Sequence, residues 1–252
     1  MDYFDIKGKK TIVTGGSRGL GKGVVDGFLA YGAEVVIIAH SEKTKDIARD
    51  YQKQGFTCHG VACDLADRKD RARGFDEAVA LLGGDLDILV NAAGIQRRHK
   101  SEEFPIEDWD DVIEVNLTAS FDFCQRAARI MLPKKYGKII NFASMLSFFG
   151  GFTVPAYAAS KGGVAQLTKT FSNEWGTQGI NVNAIAPGYM ATDMNTALLQ
   201  NEVRNSQITA RIPAGRWGTG EDMAGVSLFL ASKASDYVNG TVIPVDGGFM
   251  GR

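Results

Sequence analysis

Seven short runs rich in β-branched and apolar residues, set apart by longer stretches of mixed polarity, constrain this chain more than any other feature. They are KTIVTG (10–15), EVVIIA (34–39), FTCHGVAC (56–63), LDILVNA (86–92), GKIINFAS (137–144), INVNAIAP (180–187) and TVIPVD (241–246). Their lengths suit strands. Several are apolar without alternation, as strands covered on both faces are. Between them, 19–31, 42–53, 67–82, 118–132, 155–175 and 221–231 have helical patterning. Strand–helix alternation of this kind predicts an α/β fold: a doubly wound parallel sheet of about seven strands, binding ligands beyond the strands' carboxyl ends. The chain has 252 residues, 44% apolar, with no repeat, low-complexity tract or Pro/Ser linker, so a single domain over 1–252 is expected. Segment 189–220 has weak sheet character and follows a strand end. It is expected to lie outside the layers, as a lid over a site.

Charge and cysteine usage narrow the field. A net charge of −1 gives no basic surplus for nucleic acid or an anionic membrane surface. No apolar run approaches the roughly 20 residues that span a bilayer. The start MDYFDIKGKK has no apolar signal core, and Cys58, Cys63 and Cys124 are odd in number without metal-ligand spacing. A reducing cytoplasm is the expected location, and no metal is expected.

The first strand runs into TGGSRGLG (14–21), with Gly15, Gly19 and Gly21 spaced G-x-x-x-G-x-G. Glycine lets a backbone turn tightly and approach a pyrophosphate, whose charge the following helix N-terminus favours. By itself the stretch could also be a plain glycine-rich turn. Asp64, ending the third strand, could accept a hydrogen bond from an adenine amino group or cap the helix that follows.

PAYAASKGG (155–163) places Tyr157 and Lys161 on one face of a helix among small residues. The pair alone could be polar tips at a close-packed helix edge. Other polar residues converge with it: Asn91 and Gly94 at the end of the fourth strand, Ser144 at the end of the fifth, and PGYMAT (187–192) after the sixth. All sit where a doubly wound sheet binds ligands.

With TGGSRGLG, NAAG (91–94), Asn116 in VIEVNLTA, Ser144 and Tyr157-AAS-Lys161, the chain resembles the short-chain dehydrogenase/reductase family over its full length. NAAG departs from the family's usual NNAG but keeps Asn91. The resemblance implies a Rossmann-type oxidoreductase with Asn116, Ser144, Tyr157 and Lys161 as its catalytic set. It also implies a nicotinamide dinucleotide site from Gly15, Ser17, Arg18, Gly19, Leu20, Gly21, His40, Asp64, Leu65, Asn91, Gly94, Tyr157, Lys161, Met190 and Thr192. A free phenol, with a pKa near ~10, is a poor base at neutral pH. An ammonium nearby and a positive nicotinamide ring are expected to lower that value. Ser144 is expected to hydrogen-bond the substrate oxygen. The family commonly forms homotetramers, and AQLTKTFSNEW (165–175) has the apolar and small positions of a packing face.

GIQRRHKSEEF (94–104), IINFASMLSFFGG (139–151), NVNAIAPGYMAT (181–192), RIPAGRWG (211–218) and the terminal VDGGFMGR resemble the family's sugar-acid dehydrogenases. That resemblance implies a six-carbon sugar acid of 2-dehydro-3-deoxy-D-gluconate or 2-deoxy-D-gluconate type as substrate, in uronic-acid catabolism. Gluconate is the alternative, and a 3-ketoacyl carrier or a redox sensor without enzymatic activity lies further off. Arg97 and Arg98 suit a carboxylate, because guanidinium binds it through paired hydrogen bonds, and one of them is expected to face it. RRHK could equally be a solvated basic loop. Arg211 and Arg216 could help from the lid, where Trp217 is expected to be structural. The second strand ends in Ala39, His40 and Ser41, with neither an acid to reject a 2′-phosphate nor a fixed cation to bind one. NAD is expected as cofactor, with weak discrimination and NADP possible through Arg18.

Overall fold

The computed structural model describes residues 2–252 and alternates strands and helices in the anticipated order. Its first half contains β1 (Lys10–Thr14), α1 (Gly19–Ala30), β2 (Glu34–Ala39), α2 (Lys43–Lys53), β3 (Cys58–Ala62), α3 (Arg68–Leu81) and β4 (Ile88–Asn91). Next come α4 (Ile106–Ile113), α5 (Ala119–Lys134), β5 (Gly137–Phe142), α6 (Pro155–Trp175) and β6 (Ile180–Pro187). The chain closes with α7 (Thr196–Gln200), α8 (Glu202–Thr209), α9 (Glu221–Ala231) and β7 (Val242–Val245).

All seven strands pair in parallel, in the order β3-β2-β1-β4-β5-β6-β7. The order reverses between β1 and β4, which opens a crevice at their carboxyl ends. Successive side chains of a strand point to opposite faces. On β2, Val35 and Ile37 therefore join Phe28 of α1, Tyr51 of α2 and Leu228 of α9 in one core. Val36 and Ile38 join Phe75 of α3, Phe123 of α5 and Phe171 of α6 in the other. Burial on both faces is why these strands lack polar alternation.

The structure adds two features to the sequence reading. Residues 106–113 form a helix, opened by Pro105 with Glu107 and Asp108 in its first turn, where acidic groups favour the helix dipole. Residues Glu114–Thr118 then form a π-turn that feeds into α5. The many acidic residues of IEDWDDVI masked a helix with one apolar side.

Segment 189–220 lies outside the sheet, in two short helices, and a bridge between Met190 and Gly218 draws its two ends together. It has a separate apolar cluster of Met145, Ile208, Ile212, Trp217 and Phe249.

Candidate active site

The glycines of the β1–α1 loop are required by contact. Gly15 has φ +68°, and a Cβ there would lie 2.8 Å from the Ala93 backbone across the crevice. A Cβ on Gly21 would collide with the Gly15 carbonyl. The loop and the end of β4 are thus packed to a glycine's width. The first turn of α1 has neither a side-chain cap nor an acidic residue, so its N–H groups stay available to an anion. Above the loop, Thr192 Cγ2 would be 3.6 Å from a Cβ on Gly19, and Arg18 pairs with Asp193 at 3.2 Å. Segment 189–220 therefore reaches the phosphate-loop side of the crevice. Ser17 and Leu20 are half-buried in the loop, and Met190 is buried beneath it.

At the far end of the crevice, His40 Nδ1 stands 3.7 Å from Asp64 Oδ1. Asp64 does not cap α3. Its carboxylate accepts from Ala66 N at 2.9 Å, while Asp67 caps the helix by accepting from the Lys69 and Asp70 amides. Leu65 is buried beside it.

The central group is built from three elements. Asn116, fully buried in the π-turn, accepts from Ile95 N at 2.8 Å. Its amide donates to Ile95 O at 3.0 Å and Ser160 Oγ at 3.1 Å. Ser160 donates in turn to the Tyr157 carbonyl at 2.8 Å, linking Asn116 to the helix that carries Tyr157. Pro at the first position of α6 starts that helix, since its missing N–H is not needed there. Ser144 and Ser147 form a reciprocal cap, in which Ser144 Oγ accepts from Leu146 N at 3.1 Å. Ser147 Oγ donates to Lys161 O at 2.7 Å, which fastens the Ser144 turn to α6. Gly94 fits among these groups: a Cβ there would lie 3.3 Å from Asn116 Oδ1 and 3.6 Å from Lys161 Nζ.

Tyr157 and Lys161 share a face as their spacing predicts, with Lys161 Nζ 5.7 Å from the ring centroid. Their electrostatics differ from the expectation. Lys161 donates to the Phe142 carbonyl at 2.6 Å, and burial pulls its ammonium down to about 8. Burial pushes the Tyr157 phenol above its ordinary value, and the Ser144 hydroxyl offsets part of that rise. Desolvation disfavours the charged form of each group, so it moves the two in opposite directions.

Several of the expected side chains are engaged by other parts of the protein. The Asn91 side chain does not face the crevice: it donates to Asn141 Oδ1 at 2.9 Å, and Asn141 donates to Thr168 at 3.0 Å. That buried ladder joins β4, β5 and α6. Arg97 is engaged by α4, with Asp111 at 2.6 Å and Asp108 at 3.5 Å, whereas Arg98 is exposed. Arg216 is held by Asp222, and Arg211 lies over the Phe249 ring at 4.3 Å. Trp217 is structural as expected, buried with its indole donating to Asn205 and Thr209. Ser147 and Ser160 went unnoticed in the sequence. The S-x-x-S spacing of 144 and 147 is the trace of a capping box; nothing local marks the role of Ser160.

A doubly wound sheet with a glycine loop at its switch point, and a Ser–Tyr–Lys group facing that loop, defines a dinucleotide-dependent oxidoreductase site. The chain belongs to the short-chain dehydrogenase/reductase family, with residues 15–250 matching the family described as Enoyl-(Acyl carrier protein) reductase. It is 45% identical to the 2-dehydro-3-deoxy-D-gluconate 5-dehydrogenase of Bacillus subtilis, over all of this chain and 98% of that protein. The Escherichia coli enzyme of the same name is 46% identical, over all of this chain and 99% of its own. A crystal structure of a gluconate 5-dehydrogenase from Burkholderia cenocepacia, in complex with NADP and tartrate, superposes with a TM-score of 0.95. That protein is 39% identical, over 100% of this chain and 98% of its own.

Proposed function

We propose that this chain transfers hydride between a nicotinamide dinucleotide and a secondary alcohol or ketone of a six-carbon sugar acid, of 2-dehydro-3-deoxy-D-gluconate or 2-deoxy-D-gluconate type. The observation that carries the chemistry is the junction of Ser144, Tyr157, Lys161 and Asn116, with Asn116 and Lys161 meeting at Gly94. The substrate class is supported by the relatives' names. Gluconate itself is the second reading, supported by the Burkholderia cenocepacia enzyme.

Residues 15–21, Asp64, Leu65, Gly94, Met190 and Thr192 would hold the cofactor, and the glycine loop has room only for backbone against a pyrophosphate. When bound, the nicotinamide supplies the hydride acceptor or donor and, oxidised, a positive charge. Tyr157 takes the proton from the substrate hydroxyl or returns it to the growing alkoxide. Ser144 orients that oxygen and stabilises its developing charge. With the phenol raised by burial, its ionisation depends on positive charge arriving beside it. Lys161 contributes its ammonium and Asn116 fixes the 94–95 backbone. Arg98 rather than Arg97 is the candidate for the substrate carboxylate, because Arg97 is already paired. Segment 189–220 acts as the lid, a reading supported by Thr192 and Asp193 reaching the glycine loop.

NAD is our proposed cofactor preference, with NADP accepted. The residue directly after β2 is the exposed His40 rather than a carboxylate that would repel a 2′-phosphate, and Arg18 of the glycine loop is exposed. The relative solved with NADP favours a permissive site. Buried thiols at Cys58, Cys63 and Cys124 suit a reducing cytoplasm, and among the described residues no helix is long and apolar enough to cross a membrane.

The test is Tyr157→Phe. Turnover over a panel of sugar acids should fall by at least ~10²-fold while cofactor affinity holds; near-normal turnover would sink the mechanism. We also propose a homotetramer packed through α5 and α6, where Phe121 is 40% exposed against Phe171 and the stacked Trp175. Light scattering should give a fourfold mass, and an active monomer at assay concentration would exclude it.

A further inference from the structure

Outside the reacting face, the chain buries one guanidinium almost completely. Arg71 of α3 is 1% exposed, deeper than any other charged side chain among the described residues. Its arms diverge. One terminal nitrogen donates to the Leu65 carbonyl at 2.5 Å, in the loop after β3. The other donates to Glu114 Oε1 at 2.7 Å. Nε lies 3.4 Å from Asp122 Oδ2, near enough for attraction but not aligned as a hydrogen bond.

Those two partners lie in different parts of the site. Leu65 adjoins Asp64 at the adenine end of the crevice. Glu114 opens the π-turn, where the Ala119 N–H reaches back five residues to the Glu114 carbonyl, and Asn116 lies two residues further on. A methionine or leucine would fill this space without the cost of desolvating a charge, so packing alone does not account for a guanidinium here. A rigid planar fork that engages two loops at once does. A lysine, with one point of charge, has no such geometry.

We infer that Arg71 is a positioning residue that ties the adenine-side loop to the π-turn carrying Asn116, and so couples the cofactor's far end to the reacting centre. The inference builds on the role proposed above for Asn116. Burial raises the Glu114 carboxyl, but the Arg71 hydrogen bond and charge, with smaller contributions from Thr118 and Arg68, hold the group below its ordinary value, as an ionised partner. π-turns interrupt the regular i→i−4 ladder and are common at functional sites. This one has its first residue held from outside the helix.

The experiment is a double-mutant cycle on the intact chain, combining Arg71→Lys with Asn116→Ala and measuring turnover of D-gluconate or 2-dehydro-3-deoxy-D-gluconate, whichever is faster, at saturating cofactor. Arg71→Lys should lower kcat about tenfold when Asn116 is present and less than about twofold when it is alanine. An equal loss in both backgrounds would mean that Arg71 does not act through Asn116 and would overturn the inference, while leaving the proposed function intact. If Asn116→Ala alone kept full turnover, the role of Asn116 and this inference would fall together. ADP serves as the adenine-side probe: its affinity should weaken roughly fivefold in Arg71→Lys, by an amount within ordinary site coupling. Unchanged ADP binding refutes the link to Leu65. Should Arg71→Lys not fold, Glu114→Gln carries the same cycle, with the same expected non-additivity and the same refuting result.

Discussion

Replacing Lys161 by methionine should abolish turnover and leave the protein as stable as before, or more so, at neutral pH. Lys161 is 4% exposed, and burial lowers its ammonium from 10.5 to about 8. At about 1.4 kcal/mol for each factor of ten, holding that charge costs the folded state about 3 kcal/mol below pH 8. Methionine fills similar space without the charge, but it leaves the Phe142 carbonyl without its donor, a loss of about 1–3 kcal/mol. The variant should therefore be roughly 0–2 kcal/mol more stable at pH 7. The pH dependence isolates the cause. Below pH 8 the lysine is protonated in both folded and unfolded chains, and the full cost applies. Between pH 8 and 10.5 the unfolded chain holds more protons, so wild-type stability climbs relative to the variant. The climb should be about 2 kcal/mol between pH 7 and pH 9.5. Urea unfolding of both proteins across that range measures the difference, in which titrating groups remote from Lys161 cancel. A stability gap that does not change with pH would refute the reasoning, as would a variant several kcal/mol weaker at pH 7.

Two other substitutions separate the roles of neighbouring residues. Arg98→Ala should raise KM for a sugar acid roughly tenfold and leave a neutral sugar alcohol unaffected. Arg97→Ala breaks a half-exposed pair with Asp108 and Asp111, worth up to about 1 kcal/mol, and should act alike on both substrates; steady-state kinetics that reversed this pattern would make Arg97 the carboxylate contact. His40→Asp puts an acid after β2, where it should lower catalytic efficiency with NADP relative to NAD at least ~10-fold. An unchanged ratio would move the 2′-phosphate away from β2.

The fold was legible because its strands are buried on both faces. After Glu34, EVVIIA has no polar position, and in the structure Val35 and Ile37 fill one core while Val36 and Ile38 fill the other. A burial requirement written into each residue survives in the sequence. The same holds for Gly15 and Gly21, whose missing side chains record a backbone contact, and for Tyr157 and Lys161, set side by side by helical spacing. The helix at 106–113 and the π-turn after it were not legible, since acidic residues hide the apolar side of the first. The extra residue of the second changes hydrogen bonding without changing composition.

Which residue types stand at the strand ends is readable along the chain alone, because those positions are fixed by local periodicity and by turns that favour glycine. What each side chain does there was decided by tertiary contact. Asn91 sits at a strand end where a ligand contact was expected, yet its amide is taken up by Asn141 on the neighbouring strand. Arg97 and Arg98 are the same residue in adjacent positions, and only the placing of Asp108 and Asp111 on α4 binds one and leaves the other exposed. Burial raises Tyr157 and lowers Lys161, a consequence of surroundings drawn from β5, α6 and the loop after β4. Local propensity acts between near neighbours in the chain; hydrogen-bond partners and desolvation come from residues tens of positions away, and only the folded chain brings them together.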